Sequence, residues 1–330
     1  MKLEDLKPTQ VFSTYWWFAS ERYAMCERRL AGQPPPWTSD PDLQKQRFTN
    51  VFRVTDRVSQ YLLTDVIYNA NASAAADETV FRIILFKIFN QIQTWEMLFL
   101  GLGRIIPEWS SFNLERYSRI LDAARARKDR IWNPAYIMRP QVGDEKIDAN
   151  SKSKHWAWLA LLEKMMQQGL PQRLKAAKTY EEAYNVLRRP AIGPFLSMQW
   201  LTDLNYSPVI DFDENDFIRA GDGAMSGIRK CFVLEKSPSE EEAAAIIGMM
   251  QSGQERFFRH YGLEPVRLRG QRPMSLIDCQ NVFCETDKIS RRKHPDIKDK
   301  LGRTKIKQGY DPGSAEALRP PFFPPKWGIK

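Results

Sequence analysis

Cysteine and histidine are scarce in this 330-residue chain, four of the first and three of the second. Cys26, Cys231, Cys279 and Cys284 form no Cys-x-x-Cys pair, and His155, His260 and His294 stand far apart. That spacing excludes a zinc-finger site and a disulfide framework, and leaves free thiols of a reducing compartment. Long apolar runs are lacking too. The richest, Phe81 to Leu100, is broken by Arg82, Lys87, Asn90 and Glu96, well short of the roughly 18 uninterrupted residues of a membrane span. Met1-Lys-Leu-Glu-Asp-Leu-Lys7 has no apolar core of a secretory signal, so the expectation is a cytoplasmic protein with no membrane partner. A Gly-x-x-x-x-Gly-Lys-[Ser/Thr] loop is also missing. Gly221-Asp-Gly-Ala-Met-Ser-Gly227 lacks its lysine and hydroxyl order, which disfavours a P-loop kinase.

What is present is charge and helical periodicity. The net charge is +9. From Lys288 to Lys330 stand twelve Lys/Arg against four Asp/Glu, so one tail supplies almost the whole excess. Such a segment attracts a polyanion, either nucleic acid or an anionic surface. The chain is 43% hydrophobic, enough to bury one large domain or two intimate lobes. We expect a body over residues 1–292 and a basic, Pro/Gly-rich arm over 293–330.

Phe12, Tyr15, Trp16 and Phe18 predict a first helix that ends before Gly32. Over Phe48 to Leu63, apolar residues recur at helical steps, with Asn50, Arg53, Arg57 and Gln60 on another face, which predicts one helix. The stretch 78–100 reads as a central helix, apolar nearly all round but for a line of Lys87, Asn90, Gln91 and Thr94. A buried polar line borders a cavity or meets another polar element. Further helices are expected over 116–130, 155–168, 180–188 and 240–261, the third opened by Thr179-x-x-Glu182 as a capping box. Residues 140–153 read as a loop.

The strongest local signal is Leu187-Arg-Arg-Pro-Ala-Ile-Gly-Pro-Phe-Leu-Ser-Met-Gln-Trp200. One helix ends, a tight turn holds Ala191, Ile192 and Gly193, and Pro194 opens the next helix. Proline suits that first position, and Gly193 admits a positive φ. The new helix offers unpaired N–H groups to an anion outside; an ordinary helical corner is the other account of the turn.

Ile192-Gly193-Pro194 resembles the helix-hairpin-helix of the DNA glycosylase superfamily, with Ala191 where the first glycine usually sits. In that superfamily an essential aspartate follows about twenty residues on, which the resemblance places at Asp213. Three more stretches, 47–61, 214–224 and Asp278-Cys-Gln-Asn-Val-Phe-Cys-Glu-Thr-Asp-Lys288, are similar to the glycosylase-related proteins of phage thymine hypermodification. That resemblance spans residues 10–295 and has two branches. One is the α-glutamyl/putrescinyl-thymine pyrophosphorylase type, an amino acid:DNA transferase; the other is the helical domain of 5-hydroxymethyluracil DNA kinases.

The resemblance implies a mainly α, glycosylase-like fold of two helical lobes with DNA held between them. It implies transfer of an amino acid or polyamine onto pyrophosphorylated 5-hydroxymethyluracil in DNA, with the base flipped out. Asp213, then Asp216, would accept the amine's proton, although Asp is also a common helix cap. Asn50, Arg53 and Arg57 would bind pyrophosphate, or form a solvated stripe. Lys87 and Asn90 would line the pocket, or sit at a helix edge. Asn281, Glu285 and Lys288 would share one helical face as substrate contacts, or the last two simply pair with each other. The 220–224 stretch is a phosphate-cradling loop or an ordinary turn, and Trp327 in the tail would stack on a base. No cofactor declares itself; Mg2+ would suit a pyrophosphate, but no ligand cluster is visible. A kinase-associated helical protein, a glycosylase and a non-enzymatic DNA-binding module remain as alternatives.

Overall fold

The computed structural model describes residues 6–134, 136, 138, 153–298, 302–311 and 320–329. The loop expected over 140–153 lies outside them, except for Ser153. The chain is mainly helical. It runs through β1 (Lys7–Pro8), α1 (Gln10–Leu30), α2 (Pro41–Lys45), α3 (Arg57–Tyr61), α4 (Ala76–Phe89), α5 (Ile92–Gly101) and α6 (Leu114–Ala126). It continues with α7 (Lys154–Gln167), α8 (Leu170–Ala176), α9 (Tyr180–Leu187), α10 (Pro194–Asn205), α11 (Asp222–Cys231), β2 (Phe232–Val233), α12 (Glu240–His260) and α13 (Leu276–Lys293). Two compact units result: Met1–Asp56 with Glu214–Phe323 and Gly328–Lys330, and Arg57–Asp213 with Pro324–Trp327.

In the first unit, α1 begins where the Thr9 side chain accepts a hydrogen bond from the Val11 N–H at 3.1 Å. Its aromatic stripe is the core. Trp16 stacks on Phe257 of α12 at 5.1 Å between ring centroids, and Tyr15 tilts against Phe283 of α13 at 4.6 Å. Helix α12 opens on a full capping box, Ser239 with Glu242, and carries three glutamates in its first turn, which suits the positive end of the helix dipole. The Gly-rich 220–224 stretch is no open loop: Gly221 caps α11, whose Gly223 and Gly227 lie directly against α13. Small residues there let two helix backbones approach.

The expected helix over Phe48–Leu63 is a different structure. Residues 48–50 take no regular structure, 51–52 bend, Arg53–Thr55 makes one 3-10 turn, Asp56 has ψ 143°, and only then does α3 start. The backbone of this segment finds its partners on α13 instead of within a helix. Asp278 accepts from the Arg53 N–H at 2.9 Å and Asn281 donates to the Asn50 carbonyl at 2.8 Å. Periodicity alone cannot foresee such a tertiary competitor.

In the second unit α4 is buried from Glu78 to Phe89. The predicted continuous helix 78–100 breaks at Asn90, which adopts a left-handed φ of 47° and returns its N–H to Phe86. Asparagine tolerates that conformation better than most side chains. The polar line does meet a second polar element: Thr94 donates to the Ile131 carbonyl at 2.9 Å, Gln91 to Arg130, and Asn133 to the Asn90 carbonyl at 2.9 Å. Helix α6 stops at Ala126, four residues before the expected end, because Lys128 turns left-handed at φ 67°. Among the described residues no helix is long and apolar enough to cross a membrane.

Candidate nucleic-acid interface

The hairpin lies in the second unit. Thr179 accepts from the Glu182 N–H at 3.0 Å, while Glu182 reaches back to the Lys178 N–H at 2.7 Å and starts α9. The turn closes where the Ile192 N–H donates to the Arg189 carbonyl at 2.9 Å. Ile192 is fully buried and anchors it. Gly193 does not use a positive φ: it sits at φ −67° and ψ 174°, ordinary extended backbone. A Cβ built there meets nothing within 4 Å, so the helix start is open to approach. Pro194 takes the first helical position, and no side chain caps the amides that follow. Beside them stands exposed Arg188. An uncapped helix start with open approach and a cation alongside suits a phosphate.

Next to Pro194 on α10, Phe195 is 37% exposed, and its ring tilts against Tyr136 at 5.6 Å. Beneath that aromatic pair lies a buried polar network. The Tyr136 hydroxyl donates to Gln199 at 3.1 Å. The Lys87 ammonium donates to Tyr136 at 3.3 Å and to Asn90 at 2.7 Å, and pairs with the Asp203 carboxylate at 2.9 Å. It also lies 4.7 Å from the Tyr136 ring centroid, within cation–π reach. Lys87 and Asn90 therefore do meet, with Asp203, Gln199 and Tyr136 added. The added residues had a signal only in part: Gln199 and Asp203 stand at a four-residue step on α10, which also carries polar Ser197, Thr202 and Asn205.

Asp213 and Asp216 are exposed in a loop that precedes α11 by several residues, so Asp213 caps no helix. They fall in different units, Asp213 closing the second and Asp216 in the first. Arg57 is exposed and belongs to the second unit, whereas Asn50 and Arg53 belong to the first. These three do not form one helical stripe.

In the first unit one face of α13 carries Asn281, Glu285 and Lys288, as the spacing predicts, with Asp278 beside them. Each is turned onto the 47–53 segment. Thr49 donates to the Asn281 amide oxygen at 3.2 Å, and its N–H lies 3.4 Å from Glu285. Lys288 pairs with Glu285 at 2.7 Å and donates to the Arg47 carbonyl at 3.0 Å. Asn50 donates to the Thr55 carbonyl and offers its N–H to Asp56 at 2.8 Å. Burial pushes the Asp56 carboxyl up to about 6; the Asn50 amide, Arg22 and Arg53 hold it back, and Glu285 raises it further. Burial likewise raises Asp278.

Asp56 gives a pH test. A carboxyl whose folded pKa lies above its unfolded value binds a proton more readily when folded, so stability falls as pH rises between the two values and is flat above them. Asp56→Asn keeps an oxygen to accept from Asn50 and removes the desolvated charge. We expect it to stabilise the protein by roughly 1–3 kcal/mol at about pH 7.5 and by nothing at about pH 3.5. Urea denaturation at the two pH values reads this directly.

Tail residue Trp327 packs edge-on against Tyr206 at 5.5 Å, not outward for a base, while Lys326 pairs with Asp211 at 3.2 Å and donates to the Ile210 carbonyl at 2.7 Å. Its described basic residues are thus partly spent within the fold. Among the described residues no three His, Cys, Asp or Glu gather as a metal site.

The model of the 5-hmdU DNA kinase helical domain matches residues 9–299. A 5-hmdU DNA kinase of Bacillus phage SP10 is 23% identical over 280 residues, which cover 81% of this chain and 43% of that protein. The chain thus spans less than half the length of this curated relative. No solved structure matches. Of the two branches that the sequence resembles, the match falls on the kinase side, and with nearly the whole helical body covered, the chain belongs to the family of 5-hmdU DNA kinase helical domains.

Proposed function

We propose that this chain grips DNA containing 5-hydroxymethyluracil and presents the base's hydroxymethyl group for modification. The α9–α10 hairpin carries the reading. Its uncapped α10 amides, open Gly193 and flanking Arg188 suit a backbone phosphate, and exposed Phe195 sits one residue past Pro194, where a displaced base could stack. Below it, Lys87, Asn90, Tyr136 and Gln199 supply donors and acceptors for a uracil edge or a phosphate on the hydroxymethyl oxygen. The relative's printed activity suggests that the first step is phosphoryl transfer to that oxygen.

A second reading is amine transfer onto the pyrophosphorylated base. The exposed carboxylates Asp213 and Asp216 favour it, because loss of pyrophosphate to an attacking ammonium needs a proton acceptor. In that reading Arg57, Lys87 and Asn90 of the second unit contact substrate, Ile192, Gly193 and Pro194 hold DNA, and the donor is an amino acid or polyamine. Mg2+ would come in with the pyrophosphate.

The test begins with binding. Fluorescence anisotropy on 5-hydroxymethyluracil duplex should show Gly193→Glu weakening affinity at least about tenfold, because a carboxylate then sits at the helix start. Gly193→Ala should bind as the parent does. Equal binding by all three proteins sinks the hairpin reading. Nucleoside mass spectrometry then separates the steps. Phosphate gained from ATP supports the kinase step. An amine gained on pyrophosphorylated DNA, and lost in Asp213→Asn, supports transfer.

A further inference from the structure

Between α12 and α13 in the first unit, Arg267-Leu-Arg-Gly-Gln-Arg272 makes a tight hairpin turn that the hairpin in the second unit does not involve. Leu268 and Arg272 exchange backbone hydrogen bonds at 2.8 and 3.2 Å, and Gln271 donates back to the Leu268 carbonyl at 3.0 Å. Arg269 takes φ 51° and Gly270 φ 70°. Two successive left-handed residues form the tip of the turn. Glycine adopts that region freely, but any side chain is strained there. An arginine at the strained position costs stability and gives none back unless its side chain serves some contact.

The three arginines of the turn are treated differently. Arg267 pairs with Glu255, and the Tyr23 hydroxyl donates to the Arg267 carbonyl at 2.7 Å. Arg272 pairs with buried Glu214 at 3.0 Å. Those two brace the base of the turn. Arg269 is exposed and has no carboxylate partner among the described residues, and Gly270 and Gln271 are exposed beside it. Arg269 lines a crevice with Tyr23, Glu27, Phe52 and Phe323, without an ion pair to Glu27. The result is a braced tip that holds one unneutralised guanidinium and one amide outward.

We infer that the Arg269-Gly270-Gln271 tip is a second DNA contact, with Arg269 donating to phosphate oxygens or entering a groove. This rests on the proposal that the chain binds DNA. A planar guanidinium on a stiff turn donates two parallel hydrogen bonds to a phosphate at little ordering cost. The glycine beside it lets the backbone come close.

The test uses Arg269→Gly and Arg269→Asn in the full chain, since both residues accept a left-handed φ. Both should keep or raise the thermal midpoint while weakening duplex affinity roughly tenfold, with the slope of log affinity against log salt falling by about 1. Parental affinity and salt slope in both variants overturn the inference while leaving the hairpin proposal standing. A parent chain that binds no duplex removes the DNA reading itself, and this inference with it.

Discussion

Asp203→Ala should cost this protein about 3–5 kcal/mol of folding stability, the loss expected when one member of a buried ion pair is removed. Asp203 is wholly buried and Lys87 is 3% exposed. Their 2.9 Å contact lies in the core of the second unit. The substitution leaves an ammonium without that carboxylate, and neither Asn90 nor Tyr136 carries a formal charge to replace it. Asp203→Asn should cost less, since an oxygen acceptor survives. The double variant Lys87→Met/Asp203→Leu should recover most of the loss, because it removes both desolvated charges and fills the volume. Urea denaturation of the four proteins makes the comparison.

The same variants separate structure from function. If the pair only holds α4 to α10, the double variant binds 5-hydroxymethyluracil duplex with the parent's affinity. If Lys87 contacts a phosphate, the double variant folds well and yet binds that duplex more weakly. A stable but weakly binding double variant is the outcome our proposal expects. A stable one with the parent's affinity would confine Lys87 to packing.

Sequence patterns showed the helices where local and tertiary preferences agree. The stripe Phe12, Tyr15, Trp16 and Phe18, the Thr179 cap and Pro194 at a first helical position all led to helices close to their expected bounds. The misses share a cause. At 48–56 the backbone gives its hydrogen bonds to Asp278 and Asn281, more than two hundred residues away in sequence. No window over the segment contains those partners. At Asn90 a single left-handed residue splits a helix whose apolar pattern runs on unbroken.

Site residues divide in the same way. The face of Asn281, Glu285 and Lys288 was legible from spacing, but not what it faces, the chain's own 47–53 segment. Lys87 and Asn90 declared themselves as polar positions in an apolar helix. Asp203 and Gln199 stand a turn apart on α10, but Ser197, Thr202 and Asn205 share that helix, so polarity alone did not single them out. Arg269 could not have been found: nothing in Leu-Arg-Gly-Gln tells which residue turns left-handed, nor that its neighbouring arginines are neutralised by Glu255 and Glu214.

Gly227→Ala should be nearly as damaging as the loss of Asp203, and for a steric reason. A Cβ at Gly227 would lie 2.1 Å from the carbonyl oxygen of Phe283 and 2.7 Å from its carbonyl carbon. Those are backbone atoms in the middle of α13, so relief requires moving the helix. Alanine's higher helix propensity returns only about 1 kcal/mol, against an overpacking cost of roughly 3 kcal/mol or more. The neighbouring Gly223 is the control. Its Cβ would meet the Cys284 sulfur at 3.0 Å, a side-chain atom that can shift, so there the propensity gain and the contact nearly cancel. Scanning calorimetry should show Gly227→Ala lowering the melting temperature by several degrees, roughly 2–4 °C per kcal/mol, and Gly223→Ala leaving it near the parent's. The displaced helix is the one whose Asp278, Asn281, Glu285 and Lys288 hold the 47–53 segment. Protease cleavage within that segment should therefore rise in Gly227→Ala and not in Gly223→Ala, which ties the close approach of two helices to the placement of Asn50 and Arg53.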